Sequence, residues 1–239
     1  MENKENITQQ LLPLERIVLD PLGDTISSLE LTRISGSDLE VVNAARVSYG
    51  KLSTQITERD KILIHYLMEH DHTTPFEHNQ LSFRVKAPLY VIRQWMRHRM
   101  NSYNEISYRY VKAPLEFYIP PVWRQQDPKN RQCSSGSIEQ TAALKETYLK
   151  SLETARQAYE TLLEAGVGRE QARGILPLCT YSEFIFTCNL HSLLHFIHLR
   201  LAPGAQYEIR VYAQGMLDLV EKHFPVSIEA FMKKVNKTT

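Results

Sequence analysis

RQWMRHRMNSYNEISYRY, residues 93–110, sets Arg93, Arg97, His98, Arg99 and Arg109 beside a single acid, Glu105, with Gln, Asn, Ser and Tyr between them and no aliphatic run. Such a segment makes a poor core and a good anion site, because guanidinium groups bind carboxylate and phosphate through paired N–H donors. Gln94 and Arg97 lie three apart and Arg93 and Arg97 four apart, so on a helix all three project from one side. Glu105, Ser107 and Arg109 alternate, so in extended chain they share one face. The stretch reads as a helix end followed by a polar strand, both aimed into one cleft.

Upstream, Leu81 to Val85 alternates apolar and polar residues as a strand, and Pro88 starts the helix that carries the opening stretch. Before it comes a loop crowded with functional side chains, Asp71-His72-Thr73-Thr74-Pro75-Phe76-Glu77-His78, and a helix capped by Thr57 and running to His70. Earlier still, Ser37 with Glu40 three residues on forms a capping-box pattern, and Leu29 to Ile34 alternates as a strand. Residues 1–12 read as a mobile arm, and 13–239 as one domain.

Downstream, Glu116 to Ile119 reads as a short strand stopped by Pro120 and Pro121, and Trp123 to Gly136 is polar and turn-rich. A helix capped by Ser137 then runs to about Gly166, and a shorter one, Glu170 to Leu176, stops at Pro177. Tyr181 to Cys188 has the apolar content of a buried strand. Asn189 is placed to cap a helix ending near Arg200, and two more helices, about Gln206 to His223 and Ser227 to Val235, complete the chain. The fold class expected is α+β, helices packed around an antiparallel sheet.

A chain of 239 residues can bury roughly 70% of its unfolded surface, so a core is assured. Lys and Arg number 28 against 27 Asp and Glu, a net charge of +1 that gives no bulk attraction to nucleic acid or to an acidic membrane. Cys133, Cys179 and Cys188 show no Cys-x-x-Cys spacing, which points to reduced thiols and a cytoplasmic location. There is neither a signal-peptide pattern nor an unbroken apolar run of membrane-spanning length.

His191, His195 and His198 fall on one helical face, the spacing a metal site on a helix would use, with His70, His72, Glu77 and His78 as the other candidates. A face of histidines is more often packing, or turned to a cofactor, than metal-binding, so no metal is expected. Gly166-Val167-Gly168 follows a helix and lacks the third glycine of a dinucleotide fingerprint, and no cysteine has a histidine partner in a recognisable pattern. Arg173 and Arg200 sit among apolar neighbours, where an unpaired guanidinium is costly and an anion is wanted. Rival readings are a metal-dependent phosphohydrolase on the histidine face and a basic nucleotide-binding or RNA-binding module on residues 97–109. The near-neutral charge counts against the second.

Arg97-His98-Arg99, seven residues, then Ser107, in the fuller form Arg-His-Arg-x-x-Ser-x-Asn-Glu-x-Ser-x-Arg-Tyr, resembles the signature of the flavin-dependent thymidylate synthases. The likeness extends to Ala44-Ala45-Arg46-Val47-Ser48, the His72 to His78 loop, Ala172-Arg173 to Pro177, Asn189 to Arg200 and Ala205-Gln206-Tyr207-Glu208-Ile209. It implies an enzyme that methylates dUMP with methylenetetrahydrofolate as carbon source and NADPH reducing a bound FAD, without cysteine attack on the pyrimidine. By the resemblance, Gln94, Arg97, Glu105, Ser107, Tyr108, Arg109 and Arg173 are dUMP contacts, with Ser107, Arg109 and Arg173 at the phosphate. Arg200 is the catalytic arginine placed against the pyrimidine. Ser48, His72, Thr74, Glu77, Arg97, His98, Arg99, Glu105, Asn189, His191 and His195 are FAD contacts. Tyr108 stands where some members carry glycine, which implies contact through its backbone. The family also implies a homotetramer with FAD and dUMP held between subunits.

Overall fold

The computed structural model describes residues 15–238, so the arm expected for residues 1–12 lies outside them. In chain order the elements are β1 (Val18–Leu19), β2 (Ser28–Ser35), α1 (Asp38–Arg46), α2 (Glu58–Glu69), β3 (Gln80–Pro88), α3 (Leu89–Trp95), β4 (Ser102–Glu105), β5 (Gln125–Gln126), β6 (Ser134–Ser135), α4 (Ala142–Glu164), α5 (Arg169–Ala172), β7 (Tyr181–Asn189), α6 (Leu190–Leu201), α7 (Tyr207–Glu221) and α8 (Pro225–Thr238). Short 3-10 turns occupy Val47–Tyr49, Thr74–His78 and Arg173–Ile175. Five strands make one antiparallel sheet in the order β1-β2-β3-β7-β4, the α+β arrangement expected.

The sheet is organised by β3 and β7, which pair without a break from Gln80↔Asn189 to Pro88↔Tyr181. Strict alternation makes this possible: Leu81, Phe83, Val85 and Ala87 of β3 are buried, as are Phe184, Phe186 and Cys188 of β7. Arg84 and Glu183 face outward and form a diagonal cross-strand ion pair at 2.5 Å. Against the inner face lie α6 and α7, joined to α3 by one side chain. Trp95 is fully buried and sets its ring 4.7 to 5.8 Å from those of Phe184, Phe186, Phe196 and Tyr212. A polar segment thus carries the core's largest enclosed residue, whose loss to alanine would cost about 3–5 kcal/mol.

The caps follow local chemistry. Ser37 Oγ accepts from Leu39 N at the start of α1, and Asp60 accepts from the Thr57 N–H and hydroxyl at the start of α2. Two expectations fail. Glu116 to Ile119 shrinks to a single bridge, Phe117↔Thr180, flanked by left-handed Leu115 and by the two prolines. Ser137 caps nothing: Gln140 is left-handed at φ 55°, and α4 begins at Ala142. The turn-rich segment before it contains a small hairpin, β5 with β6, that no alternation announced. No described helix is long and apolar enough to cross a membrane.

Candidate active site

Glu105 ends β4 opposite Phe184 of β7, and its Oε1 accepts from the buried Ser182 hydroxyl at 2.6 Å. It stands between two cavities. One, of about 310 Å³, is lined by Glu105, Ser107, Tyr108 and Arg173, and the other, of about 410 Å³, by Arg93, Arg97 and Glu105. Beyond Glu105 the chain leaves the sheet. Ser107 makes a turn in which its Oγ accepts from Arg109 N at 3.3 Å and its carbonyl from Tyr110 N at 2.9 Å.

That turn breaks the alternation expected through Arg109. Arg109 lines neither cavity; it is exposed, 3.5 Å from Glu170 and over the Tyr110 ring. The Tyr108 ring is buried, its hydroxyl donating to the Tyr181 carbonyl at 2.5 Å, with burial pushing its pKa up to about 12. Only its backbone is left for a ligand. Arg173 opens the turn after α5 and is exposed, so the apolar neighbours that promised a buried guanidinium do not enclose it.

Arg200, half-buried near the end of α6, donates Nε–H to His98 Nε2 at 3.0 Å and Nη2–H to the Gln94 carbonyl at 3.2 Å. His98 is buried, and burial, with Arg200 beside it, lowers its pKa to about 4, so the ring is neutral. Both of Arg200's partners are therefore neutral acceptors, and among the described residues no carboxylate pairs with it. Gln94 turns its side chain to Gln206, Nε2 to Oε1 at 2.5 Å, away from the cavity that Arg93 and Arg97 share. The common face expected for all three does not form, because α3 stops at Trp95 and Arg97 lies in the following turn.

The histidine face of α6 does form. His191, His195 and His198 line a cavity of about 670 Å³ together with His72. Apolar walls come from Phe76, Leu194, Ile197 and Phe231. Burial, with His191, His198 and Arg200 nearby, holds His195 below the usual histidine range. Glu77 lies 3.5 Å from His191, and Asn189 is spent on the helix start, its Oδ1 accepting from Ser192 N at 2.7 Å. Ser48 and Thr74 line an adjoining cavity of about 330 Å³, with His72 on the wall of both. Arg99 is exposed and lines none of these cavities. Among the described residues no group of three or more His, Cys, Asp and Glu side chains is arranged to hold a metal ion.

The candidate residues thus gather toward the two ends of β7, and the His98 ring, 6.0 Å from that of His195, stands between them. Arg200 and His98 lie on α6 and the segment after α3. Sequence reasoning missed three contributors. Ser182 carried no signal, being one polar residue in an apolar strand. Gln206 and Glu208, either side of Tyr207 at the α7 start, belong to a matched motif to which no role was attached.

Residues 30–226 match the family described as Thymidylate synthase complementing protein. A flavin-dependent thymidylate synthase from Thermus thermophilus is 48% identical over 197 residues, covering 82% of this chain and 72% of that protein. One from Thermosipho africanus is 44% identical, covering 86% and 90%. Among solved structures, a UMP/dUMP methylase, PolB from Streptomyces cacaoi bound with 5-Br dUMP, is similar with a TM-score of 0.80 at 37% identity, covering 87% of this chain and 95% of that one.

Proposed function

The chain belongs to the thymidylate synthase complementing protein family, and we propose that it is a flavin-dependent thymidylate synthase. It methylates the uracil ring of dUMP, with methylenetetrahydrofolate as carbon donor and NADPH as reductant. The observation that carries this reading is the state of Arg200, a half-buried cation held only by neutral acceptors. A guanidinium oriented but not neutralised is what a pyrimidine ring needs where negative charge develops on it. A neutral His98 adds orientation without adding charge.

The nucleotide is held at the β4 end. Arg173 and the Ser107 turn take the phosphate, an exposed guanidinium and a hydroxyl with neighbouring backbone N–H groups being good anion donors. Ser182 fixes the Glu105 carboxylate as an acceptor for a ligand hydroxyl or N–H. Arg109 joins the phosphate only by leaving Glu170, a weak exposed pair.

The histidine cavity fits FAD: an apolar slot of that size with imidazole donors on its rim accepts a planar ring system. His72, His191 and His195, with Ser48, Thr74, Glu77 and Asn189 around them, would hold it, and Arg97, His98, Arg99 and Glu105 would meet it from the nucleotide side. Bound FAD, reduced by NADPH, supplies the hydride. No thiol is poised to attack the pyrimidine: Cys179 and Cys188 are buried with their pKa values raised by desolvation, and Cys133 contacts the Gly204 carbonyl.

The family likeness supports a homotetramer in which one subunit's nucleotide end meets another's flavin end. Ile106, Tyr110, Ile175 and Leu178, all exposed beside the Arg173 cavity, supply apolar surface for such a contact. Unpaired cysteines support a reducing, cytoplasmic setting.

The test is direct. Purified protein should carry or bind FAD and form dTMP from dUMP, methylenetetrahydrofolate and NADPH, with UMP run alongside. Colourless protein that binds no added FAD and carries stoichiometric zinc or iron would sink the reading.

A further inference from the structure

We propose that the cavity of about 550 Å³ between the β5–β6 hairpin and the start of α7 binds a flat aromatic group that carries an anion. The inference rests on the function proposed above, because the ligand it assigns is the anionic end of a co-substrate.

Three side chains set the charge of the cavity. Glu208, in the first turn of α7, is 1% exposed, and Arg124 Nη2 lies 2.8 and 2.9 Å from its two oxygens. Gln206 Nε2 donates to the same carboxylate at 2.9 Å, so its accepting capacity is largely spent within the protein. Arg210 is different. Its Nη2 donates to the Ala205 carbonyl at 3.3 Å, its Nε is buried without a hydrogen-bond partner, and among the described residues no carboxylate pairs with it. Two arginines against one glutamate leave the lining with a charge of +1. What a half-buried, unneutralised guanidinium lacks is a carboxylate or a phosphate.

The other walls are aromatic. Trp123 and Tyr148 meet edge to face, with ring centroids 5.2 Å apart and planes at 75°, and form a corner where a flat ring can stack on one and pack against the other. Tyr207 adds a third ring, with the Arg124 guanidinium 5.3 Å from its centroid. The hairpin is pinned as the outer wall: Gln126 Nε2 donates to the Cys133 carbonyl and Arg124 Nε–H to Ser134 Oγ, each at 2.9 Å. The volume lies within the range of about 300–1,000 Å³ usual for small-molecule sites.

Its position supplies the link to the reaction. Pro203 stands on the wall of this cavity and on that of the histidine cavity, so the two adjoin across the turn that joins α6 to α7. A co-substrate with its reacting ring in the histidine cavity can lay its far end here. Both proposed co-substrates have such an end, methylenetetrahydrofolate an aminobenzoyl group bearing glutamate, and NADPH an adenosine bearing phosphates. The chemistry that the cavity recognises is common to them, and the experiment tells them apart.

KM values for methylenetetrahydrofolate, NADPH and dUMP are measured on the FAD-loaded wild type and on Arg210→Gln, which removes the charge and keeps a polar side chain. One co-substrate KM should rise about tenfold, the worth of a charge-assisted contact, with the other and that of dUMP unchanged. Fluorescence reads binding apart from turnover. Trp123 is one of two tryptophans and the other, Trp95, is fully buried, so a ring stacked on Trp123 should quench emission. Quenching by aminobenzoylglutamate assigns the site to the folate, and quenching by adenosine 2′,5′-bisphosphate assigns it to NADPH. Three KM values as in the wild type, or all three rising together, overturn the site, as does quenching by neither fragment. Should Arg210→Gln fail to fold, Trp123→Leu keeps both arginines and should raise the same KM; unchanged values overturn the site. Wild-type protein that forms no dTMP defeats the proposed function itself, whereas an active enzyme whose variants keep wild-type KM values defeats this site alone.

Discussion

Arg200 donates its Nε–H to His98 Nε2 at 3.0 Å, a cation oriented by a neutral ring. Arginines near a surface usually find a carboxylate, and this one keeps its charge for a ligand. Arg200→Ala should therefore leave FAD binding intact, seen as an unchanged flavin spectrum, while dTMP formation falls about 10²–10³-fold. Full retained turnover would remove Arg200 from the pyrimidine role.

The same pair sets an acid limit. His98 titrates near pH 4 in the folded protein because burial and Arg200 disfavour its charged form, whereas the unfolded chain takes up the proton near 6.5. Between those values the unfolded state binds more protons, so stability is full above about pH 6.5 and declines as pH falls toward 4, by at most about 3 kcal/mol from this group. Urea midpoints measured from pH 7 to 4 should show that decline, and His98→Gln should flatten it. An identical slope in the variant would assign the decline to other groups.

Ser107 is held in a turn by its contact with Arg109 N, a geometry suited to binding rather than attack. Ser107→Ala should raise KM for dUMP several-fold, the loss of about one hydrogen bond, with kcat largely kept. Intact-mass spectra taken during turnover should show no nucleotide adduct. A trapped covalent dUMP on Ser107 would overturn the binding role.

Where the sequence spoke clearly, the cause was local. Ser37 and Asn189 cap helices with their own side-chain oxygens, and the histidine face follows from 3.6-residue periodicity alone. Where it misled, a distant residue decided. Gln94 swings to a partner 112 positions away, and no spacing within residues 93–110 could reveal that. Arg109 leaves the expected face because pairing with β7 lapses after Ile106, whose N–H takes the Glu183 carbonyl at 2.9 Å, and the Ser107 turn then intervenes. Arg173 looked buried by its neighbours in sequence, yet a short 3-10 turn presents it to solvent.

Gly36 is indispensable for two reasons. Its φ is +103°, and a Cβ there would lie 1.9 Å from Asn79 Oδ1. The Asn79 amide is buried without a hydrogen-bond partner, and the Asn79 carbonyl accepts from Leu190 N at the start of α6. Gly36→Ala should cost about 2 kcal/mol or more in urea unfolding and weaken FAD binding by disturbing the histidine helix. Adding Asn79→Ala should recover the steric part, and a Gly36→Ala protein as stable as the parent would refute the clash.

Asp60 is fully buried, and Arg46 Nη2 reaches its Oδ1 at 2.5 Å. Burial alone would raise its pKa, but bonds from the Thr57 hydroxyl and backbone, together with Arg46, hold it below the usual carboxylate range. Arg46→Ala strands that charge and should cost about 3 kcal/mol, or roughly 6–12 °C in Tm for a chain of this size. A shift under about 2 °C would show that the Thr57 contacts suffice.

The unbroken pairing of β3 with β7 also sets a timetable for biosynthesis. The two strands that centre the sheet are about ninety residues apart in the chain, a long-range pairing of the kind that slows folding. At ribosomal speeds of about 5–20 residues per second, β3 emerges roughly 5–20 s before the strand that will cover its edge. Throughout that interval the nascent chain displays an alternating apolar strand with one unpaired edge, the kind of surface that holdase chaperones shield.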